Sequence, residues 1–194
     1  MRIAAVGTRP PDLDVDALAV PVAAGAPLEA AAAELDGRLD GRLSELAASD
    51  HRGRLHEVLA FPPGESLAAR RVLLYGLGRT EELDGQRLRY AHHEMVRKAR
   101  RLGYRRLAVL ASPPLAPGDL TAVVEGSVMG SWERRSRQTS EPLLPLEELL
   151  LSGFGEGRQE EVERAQQLGE ATNRTREWQN LPPNELTPEA QHGF

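Results

Sequence analysis

The segment RVLLYGLG, residues 71–78, is apolar without alternation and is closed by glycines. This pattern is typical of a strand that helices cover on both faces, whereas a strand with one solvated face alternates apolar and polar residues. The segment RLAVLA, residues 106–111, has the same character. Both segments are therefore predicted to be inner strands of one sheet. The side chains predicted to be mostly buried in them are Val72, Leu73, Leu74, Leu107, Val109 and Leu110.

Strand-like and helix-like segments alternate on both sides of these two strands. Residues 2–6, 17–22, 54–61 and 147–151 are predicted to be further strands. Pro21 lacks a backbone N–H, so the second of these is expected at an edge of the sheet or is expected to end near this residue. The alternation predicts an α/β sheet covered by helices, and the strand pair before the first helix indicates that the sheet is mixed.

Four helices are predicted from apolar residues that recur at spacings of three and four. The first is one helix that begins at Pro27, although Gly37 and Gly41 weaken it locally. The third covers about residues 120–132, and the fourth is a polar helix over about residues 159–178. The predicted apolar stripes are Leu28, Ala32, Leu35, Leu39, Leu43 and Leu46 in the first helix, Leu88, Ala91, Met95, Ala99 and Leu102 in the second, Leu120, Val124 and Val128 in the third, and Val162, Ala165, Leu168 and Thr172 in the fourth.

The composition limits the classes of protein to which the chain can belong. It has 194 residues, a net charge of −5 and no cysteine. The absence of cysteine excludes disulfides, a catalytic thiolate and zinc sites built on cysteine. The acidic total disfavours general nucleic-acid binding, because such domains are usually basic. No apolar run reaches the ~18 residues of a membrane span and no signal peptide is recognisable, so a cytoplasmic protein without a membrane partner is expected.

Two motifs that could carry chemistry are each incomplete. YGLGRTE, from residue 75, resembles a dinucleotide-binding loop, but Glu81 occupies the third glycine position and would repel a phosphate. HHEMVR, from residue 92, resembles a zinc-binding helix, but Arg97 replaces the second histidine and leaves too few ligands. A tight strand-to-helix turn and an ordinary helix surface are the simpler interpretations. No catalytic residue and no metal ligand is therefore assigned in this chain.

Positive charge is concentrated in the segment RKARRLGYRR, residues 97–106. A basic strip can contact the phosphates of nucleic acid, although such a run is more often a solvated face. Given the acidic total, we expect weak or no binding of duplex DNA. The residues of this possible basic strip are Arg97, Lys98, Arg100, Arg101, Arg105 and Arg106.

The segment EWQNLPPNELTPEA, residues 177–190, follows the polar helix. Pro182 and Pro183 forbid a helix through this segment. Thr187 and Pro188 then have the pattern of a helix start, with an N-cap followed by proline at the first helical position. We expect an extended connector at a domain border, and a following helix that is too short to be stable without a partner.

The same segment resembles the one that joins the two domains of the leucyl aminopeptidase family. Members of that family carry an arginine, then Asn-x-Pro-Pro-Asn, then Leu-Thr-Pro. The order of DALAVPV, LDGRL, RVLLYGLG and VEGSVMGSW upstream is similar as well, so the resemblance covers essentially the whole chain. SWERRSRQTS, residues 131–140, departs from the aromatic-rich, lysine-containing segment that is usual there. The residues that match the linker motif are Arg176, Asn180, Pro182, Pro183, Asn184, Leu186, Thr187 and Pro188.

The resemblance implies a macro-domain-like mixed sheet, flanked by helices on both faces, in residues 1–155. Residues 156–194 would then form a connecting helix and a linker toward a catalytic domain that is missing from this chain. In the family, that second domain holds two divalent metal ions, zinc or manganese, and the hexameric enzyme removes amino-terminal residues from peptides. The present chain would be a non-catalytic domain that packs on its own catalytic domain and helps to assemble the oligomer.

Two binding functions remain open beside this interpretation. Some bacterial members of the family also bind DNA, and the arginine strip is the local support for that function here. ADP-ribose binding, by analogy with macro domains, rests on the fold alone.

Overall fold

A computed structural model describes residues 1–111, 116, 118–133 and 143–180. In these residues a six-stranded sheet carries helices on both faces. The strands and helices are β1 Arg2–Val6, β2 Ala17–Ala23, α1 Ala30–Arg38, α2 Arg42–Ser49, β3 Val58–Phe61, β4 Val72–Gly78, α3 Gly85–Arg101, β5 Arg106–Leu110, α4 Asp119–Ser131, β6 Glu148–Ser152 and α5 Gln159–Asn180.

The sheet has the strand order β1-β6-β5-β2-β4-β3. Neighbouring strands are parallel except β3, which runs antiparallel to β4. The predicted α/β class and the mixed sheet are therefore confirmed. The antiparallel pairing does not involve β1 and β2, the two strands before the first helix. Strand β1 pairs with β6 and lies apart from β2.

Each face of the sheet has its own apolar core, and β4 contributes to both. Leu73 and Tyr75 pack with residues of α3, α4 and α5, whereas Val72 and Leu74 pack with residues of α1 and α2. The six side chains predicted to be buried in β4 and β5 are at most 1% exposed, which confirms that prediction. Burial of each such leucine or valine stabilises the fold by about 1.5–3 kcal/mol.

Strand β2 is an inner strand between β5 and β4, so its predicted edge position is wrong. The N–H of Leu18 donates to the carbonyl oxygen of Arg71, on the β4 side, at 2.9 Å. Successive N–H groups of a strand point to alternate sides, so the missing N–H of Pro21 lies on the β5 side. Pairing with β5 ends at Ala19, and Pro21 therefore leaves no ladder hydrogen bond unmade.

The predicted first helix is in fact two helices, α1 and α2. Asp40 and Gly41 between them have φ values of 53° and 79°, in the left-handed region that interrupts a helix. The carboxylate of Asp36 then accepts hydrogen bonds from the N–H groups of Leu43 and Ser44, at 2.7 and 3.1 Å, and caps α2. The apolar stripe looked continuous because both helices bury their leucines in the same core.

Helix α3 follows the predicted stripe up to Ala99, which is fully buried. Leu102 is 41% exposed, so this last member of the predicted stripe is wrong. The reason is that α3 ends at Arg101 and Leu102 is its C-cap residue.

Strand β3 begins at Val58, four residues later than predicted, because residues 54–57 form a turn. The N–H of Glu57 donates to the carbonyl oxygen of Arg54 at 3.1 Å. This turn lies directly on β4, since a Cβ at Gly76 would be 1.8 Å from the same oxygen of Arg54. Gly76, the first glycine of YGLGRTE, is thus required because another part of the backbone approaches it closely. This supports a tight turn over a phosphate-binding loop as the interpretation of the motif.

Candidate functional site

Helices α3 and α4 meet backbone to backbone through glycine. A Cβ at Gly126 would lie 2.1 Å from the carbonyl oxygen of Arg89, and one at Gly130 would lie 2.5 Å from that of His93. No real side chain tolerates such distances, so the segment VEGSVMGSW needs both glycines for this contact. Glu125, beside the first glycine, accepts a hydrogen bond from Arg89 Nε at 2.6 Å. These contacts fix α3 against α4.

Helix α5 extends this packing with small and polar residues. A Cβ at Gly169 would lie 2.8 Å from Val128 Cβ. Asn173 Nδ2 donates to the carbonyl oxygen of Val128 at 2.8 Å, and Arg176 Nη1 donates to that of Met129 at 3.4 Å. Both carbonyls belong to the last turn of α4, where they also accept hydrogen bonds from the Ser131 hydroxyl and the N–H of Trp132. The carboxy-terminal half of α5 therefore caps α4 with side chains.

The predicted stripe of α5 is correct only in its first half. Val162 and Ala165 are buried as predicted, whereas Leu168 is 50% exposed and Thr172 is exposed. The buried face instead continues through Gly169 to the polar residues that contact α4. The spacing of apolar residues could not predict the second half of this buried face, because that half consists of Gly169, Asn173 and Arg176.

A pocket of about 780 Å³, here called the α3–α5 pocket, lies beside these contacts. The rings of His56, Tyr90 and His93 line it. Tyr90 Oη and His56 Nδ1 are 3.0 Å apart, and the two rings meet edge-on with centroids 4.7 Å apart. His56 has a φ of 79°, which residues with side chains seldom adopt, and its bond to Tyr90 helps to hold it there.

Two of the arginines that line the α3–α5 pocket are paired with carboxylates. Arg87 lies 2.8 Å from Glu82, and Arg89 lies 2.6 Å from Glu125. Asp84 also lines the pocket, but its carboxylate caps α3 by accepting a hydrogen bond from the N–H of Arg87 at 2.7 Å. The two arginines therefore contribute little net charge to the pocket, whereas Asp84 keeps its negative charge at the start of α3.

Arg176, which also lines the pocket, contacts no carboxylate among the described residues. Its Nη1 donates to the carbonyl oxygen of Met129 and to Asn173 Oδ1, and its guanidinium carbon lies 5.8 Å from the ring centroid of Trp132. Burial is the main reason why the pKa of the nearby His93 is lowered; Glu94 opposes this shift, and the charges of Arg97 and Arg176 add to it. The charged guanidinium of Arg176 thus places a localised positive charge at the pocket.

A second histidine–tyrosine pair lies in the interior. His92 Nε2 and Tyr75 Oη are 3.1 Å apart, and the rings meet edge-on with centroids 5.2 Å apart. Both side chains are at most 2% exposed, and burial lowers the pKa of His92 to about 3. Within the described residues His92 Nδ1 has no hydrogen-bond partner. The adjacent histidines of HHEMVR therefore have different surroundings, and His92 is a neutral packing residue.

Metal ligands are not grouped in the part of the chain that the structure describes. There, no three His, Asp or Glu side chains are arranged so that they could hold a metal ion. His93 Nδ1 contacts Glu94 Oε1 at 3.1 Å, and this pair is all that remains of the zinc-like pattern. Within the same residues, no helix combines the length and the apolar character of a membrane span.

The cations of the predicted basic strip do not share one open surface. Arg100 is 5% exposed and lies 3.1 Å from the carboxylate of Glu133. Lys98 and Arg101 are exposed. Nucleic-acid binding by the strip stays a prediction, with fewer free cations than the sequence suggests. The other strip residues, each of which contacts a glutamate, are Arg97, Arg105 and Arg106.

A second cavity, of about 480 Å³, lies beyond the carboxyl ends of β2 and β4. Open α/β sheets commonly bind ligands in this position. Its described lining residues include the carboxylates of Glu29, Asp84 and Asp119 and the guanidinium of Arg89. Three carboxylates around one cation repel a phosphate. ADP-ribose binding therefore stays a prediction that the charge of this cavity does not support.

Arg176 and Asn180 are the linker-motif residues that the structure describes. Asn180 Nδ2 donates to the carbonyl oxygen of Arg176 at 2.6 Å, within the last turn of α5. The expected extended connector lies outside the described residues. The motif residues that also lie outside them are Pro182, Pro183, Asn184, Leu186, Thr187 and Pro188.

Sequence reasoning did not find His56, Tyr90 or Asn173 as members of a site. A usable signal exists in α4, where Gly126 and Gly130 lie four residues apart and therefore on one face of an apolar helix. Such a pair indicates close backbone contact with a neighbouring helix. It predicts where helices touch, but it does not predict which polar side chains border the contact.

The chain matches the model of the cytosol aminopeptidase family, N-terminal domain, over residues 19–141. A probable cytosol aminopeptidase of Streptomyces griseus is 32% identical over 203 residues, which cover 92% of this chain and 39% of that relative. The chain thus spans about two fifths of the length of this relative.

Solved structures support the fold. A mutant tomato leucine aminopeptidase superposes with a TM-score of 0.77 at 24% identity, covering 96% of this chain and 40% of that chain. The macrodomain of Thermus aquaticus DarG superposes with a TM-score of 0.56 at 12% identity, covering 78% of this chain and 97% of that chain. The predicted macro-domain-like mixed sheet with helices on both faces is confirmed.

Proposed function

The chain belongs to the cytosol aminopeptidase family, and on that premise we propose that it is the non-catalytic amino-terminal domain of a leucyl aminopeptidase. The whole enzyme would remove amino-terminal residues from peptides in the cytoplasm. Two divalent metal ions, zinc or manganese, would activate water and polarise the scissile carbonyl. The described residues do not fit such a metal pair, so its ligands would come from a catalytic domain outside residues 1–194.

The observation that carries this proposal is the anchoring of α5. This helix has 22 residues, and its first half buries Val162 and Ala165 in the core beneath β1 and α4. Its second half is tied to the last turn of α4 by the side chains of Asn173 and Arg176. A helix that is held along both halves gives a stiff attachment for the segment that follows Asn180.

The linker motif indicates what α5 would attach to. Arg176 and Asn180 belong to the motif that resembles the junction between the two domains of the family, and both lie in the last turns of α5. Residues 1–155 would then form the domain body, and residues 156–194 would connect it to the catalytic domain. By setting the position of that domain, this chain would also help to assemble the oligomer, which we expect to be a hexamer.

Expression of the complete reading frame, including any codons after position 194, tests the proposed function. We expect the product to hydrolyse leucyl-p-nitroanilide when it is loaded with Mn²⁺ or Zn²⁺. Light scattering coupled to size exclusion is expected to show a hexamer. A complete product that has no aminopeptidase activity with either metal would contradict the proposal.

A further inference from the structure

We propose that the α3–α5 pocket binds an oxyanion, that is, a carboxylate or a phosphate group, through Arg176 and His93. This function goes beyond domain packing and does not depend on it. The pocket lies between α3, α4 and α5 and the turn before β3.

The first argument is the distribution of charge. Of the three lining arginines, Arg87 and Arg89 have carboxylate partners within 2.8 Å, whereas Arg176 contacts none among the described residues. Among the described lining residues Asp84 is the carboxylate; it keeps its charge, but it caps the start of α3 and forms no ion pair with Arg176. An incoming oxyanion would therefore meet a guanidinium that has no carboxylate partner among the described residues, and charge-assisted hydrogen bonds of this kind are among the stronger ones in proteins.

The second argument is that Arg176 is held in place before any ligand arrives. Its Nη1 contacts Met129 and Asn173, and its guanidinium lies beside the Trp132 ring. A guanidinium has five N–H donors, so these contacts leave donors for a ligand. Because the side chain is already ordered, binding costs less conformational entropy than it would at a mobile surface arginine.

His93 supplies a second contact and a direct reporter. Its side chain is 19% exposed, and its Nδ1 contacts Glu94 while its ring lines the pocket. Burial is the main cause of the lowered pKa of His93; Glu94 raises this pKa, and the charges of Arg97 and Arg176 lower it. A bound oxyanion offsets the charge of Arg176 and favours the protonated ring, so the pKa of His93 rises when the pocket is occupied.

The pocket is large enough for the oxyanion to be part of a larger ligand. About 780 Å³ is in the range of sites for whole small molecules, and a bare ion would fill only a fraction of it. The exposed ring of Tyr90 offers an apolar wall for the remainder of the ligand. The group could come from a small phosphorylated molecule or from an acidic protein side chain, and both present the same chemistry to Arg176.

The test is a titration of the 194-residue chain, followed by NMR of the arginine Nε–H and histidine ring signals. The probes are inorganic phosphate for the first source and hexaglutamate for the second. Saturable shifts at Arg176 and His93 with either probe, and a raised pKa of His93, are expected. Arg176→Gln should weaken binding about tenfold or more, because it removes a charge-assisted contact.

Arg174→Gln is the matched control, since it removes the same charge from the same helix at an exposed position. We expect it to change the affinity less than about twofold, as for a screened surface charge. Arg176→Lys keeps the charge and should retain part of the binding even where Arg176→Gln perturbs packing. Equal weakening by Arg174→Gln and Arg176→Gln, or no saturable shift with either probe, would overturn the proposal. Binding of only one probe supports it and identifies the source.

Discussion

The two sides of the sheet are covered by helices that pack in different ways. On one side, α1 and α2 cover the strands with leucines, and Gly37 of α1 has nothing within 4 Å of where a Cβ would lie. On the other side, α3 and α4 touch through Gly126 and Gly130, and α5 adds polar contacts. The spacing of apolar residues alone accounts for the packing of the first side. The second side needs particular residues at particular positions, and it is the side that carries the α3–α5 pocket and the linker helix.

Alanine in place of glycine should have opposite effects on the two sides. Gly126→Ala places a methyl group against the backbone carbonyl of Arg89, so the helices must move apart, and we expect a loss of about 3 kcal/mol in the free energy of unfolding. Gly37→Ala lies in open space in a helix and should raise the free energy of unfolding by about 0.5–1 kcal/mol. Urea denaturation of both variants measures the difference. Two losses of similar size would show that the sides are packed alike.

Acid should destabilise the second side through His92. Burial lowers the pKa of His92 to about 3 in the folded chain, whereas an unfolded histidine titrates at an ordinary value near 6.5. Between these values the unfolded state binds a proton that the folded state does not, so stability is complete above the unfolded pKa and falls as the pH falls. The loss between about pH 6 and pH 4.5 should be about 2 kcal/mol.

His92→Gln isolates this contribution from the other titrating groups. The variant lacks the proton-binding ring, so its stability should fall less steeply with acid by about 1.4 kcal/mol per pH unit. Thermal or urea unfolding at several pH values gives both slopes. Identical slopes for the variant and the original chain would mean that His92 is protonated in the fold.

The side chains that cap α4 should contribute less to the free energy of unfolding than the glycine contacts between α3 and α4. Arg176→Gln removes a donor and a charge from the end of α4, and we expect it to lower the free energy of unfolding by about 1 kcal/mol. Arg174→Gln, on the exposed face of the same helix, should change it by less than about 0.5 kcal/mol. If both variants unfold at the same urea concentration, the contact between Arg176 and α4 does not stabilise the domain.

The smallest effect is expected at the exposed cations of the basic strip. Lys98→Gln combined with Arg101→Gln should leave stability unchanged, because both side chains are exposed. Binding of duplex DNA by the original chain should be weak, and any binding should decline steeply between about 50 and 200 mM salt. Fluorescence anisotropy with a labelled duplex measures this. Tight binding that resists salt and is lost in the double variant would restore nucleic acid as a partner.

The sequence predicted the elements whose side chains act through apolar burial. Leu74 and Leu110 were placed on inner strands because their neighbours are apolar on both faces, and the structure buries them fully. The break at Asp40 was not predictable from the stripe, since the leucines on both sides of it enter one core. The edge position predicted from Pro21 is wrong because the missing N–H would point toward β5, whose pairing with β2 has already ended at Ala19.

The candidate site was harder to predict, because its residues come from distant segments. His56 and Tyr90 are 34 positions apart, and Asn173 follows α4 by more than forty. Polar residues that come together only when helices pack do not form a recognisable short motif in the sequence. The resemblance in the linker motif identified Arg176 and Asn180, but it did not show that Arg176 faces a pocket.

The activity of the purified 194-residue chain tests the central claim most directly. The chain is loaded with Zn²⁺ or Mn²⁺ and assayed with leucyl-p-nitroanilide over a range of substrate concentrations. We predict no hydrolysis above that of the metal in buffer, because the described residues hold no cluster that could bind the two ions. Saturable turnover that copurifies with the chain would contradict the claim that this domain is non-catalytic.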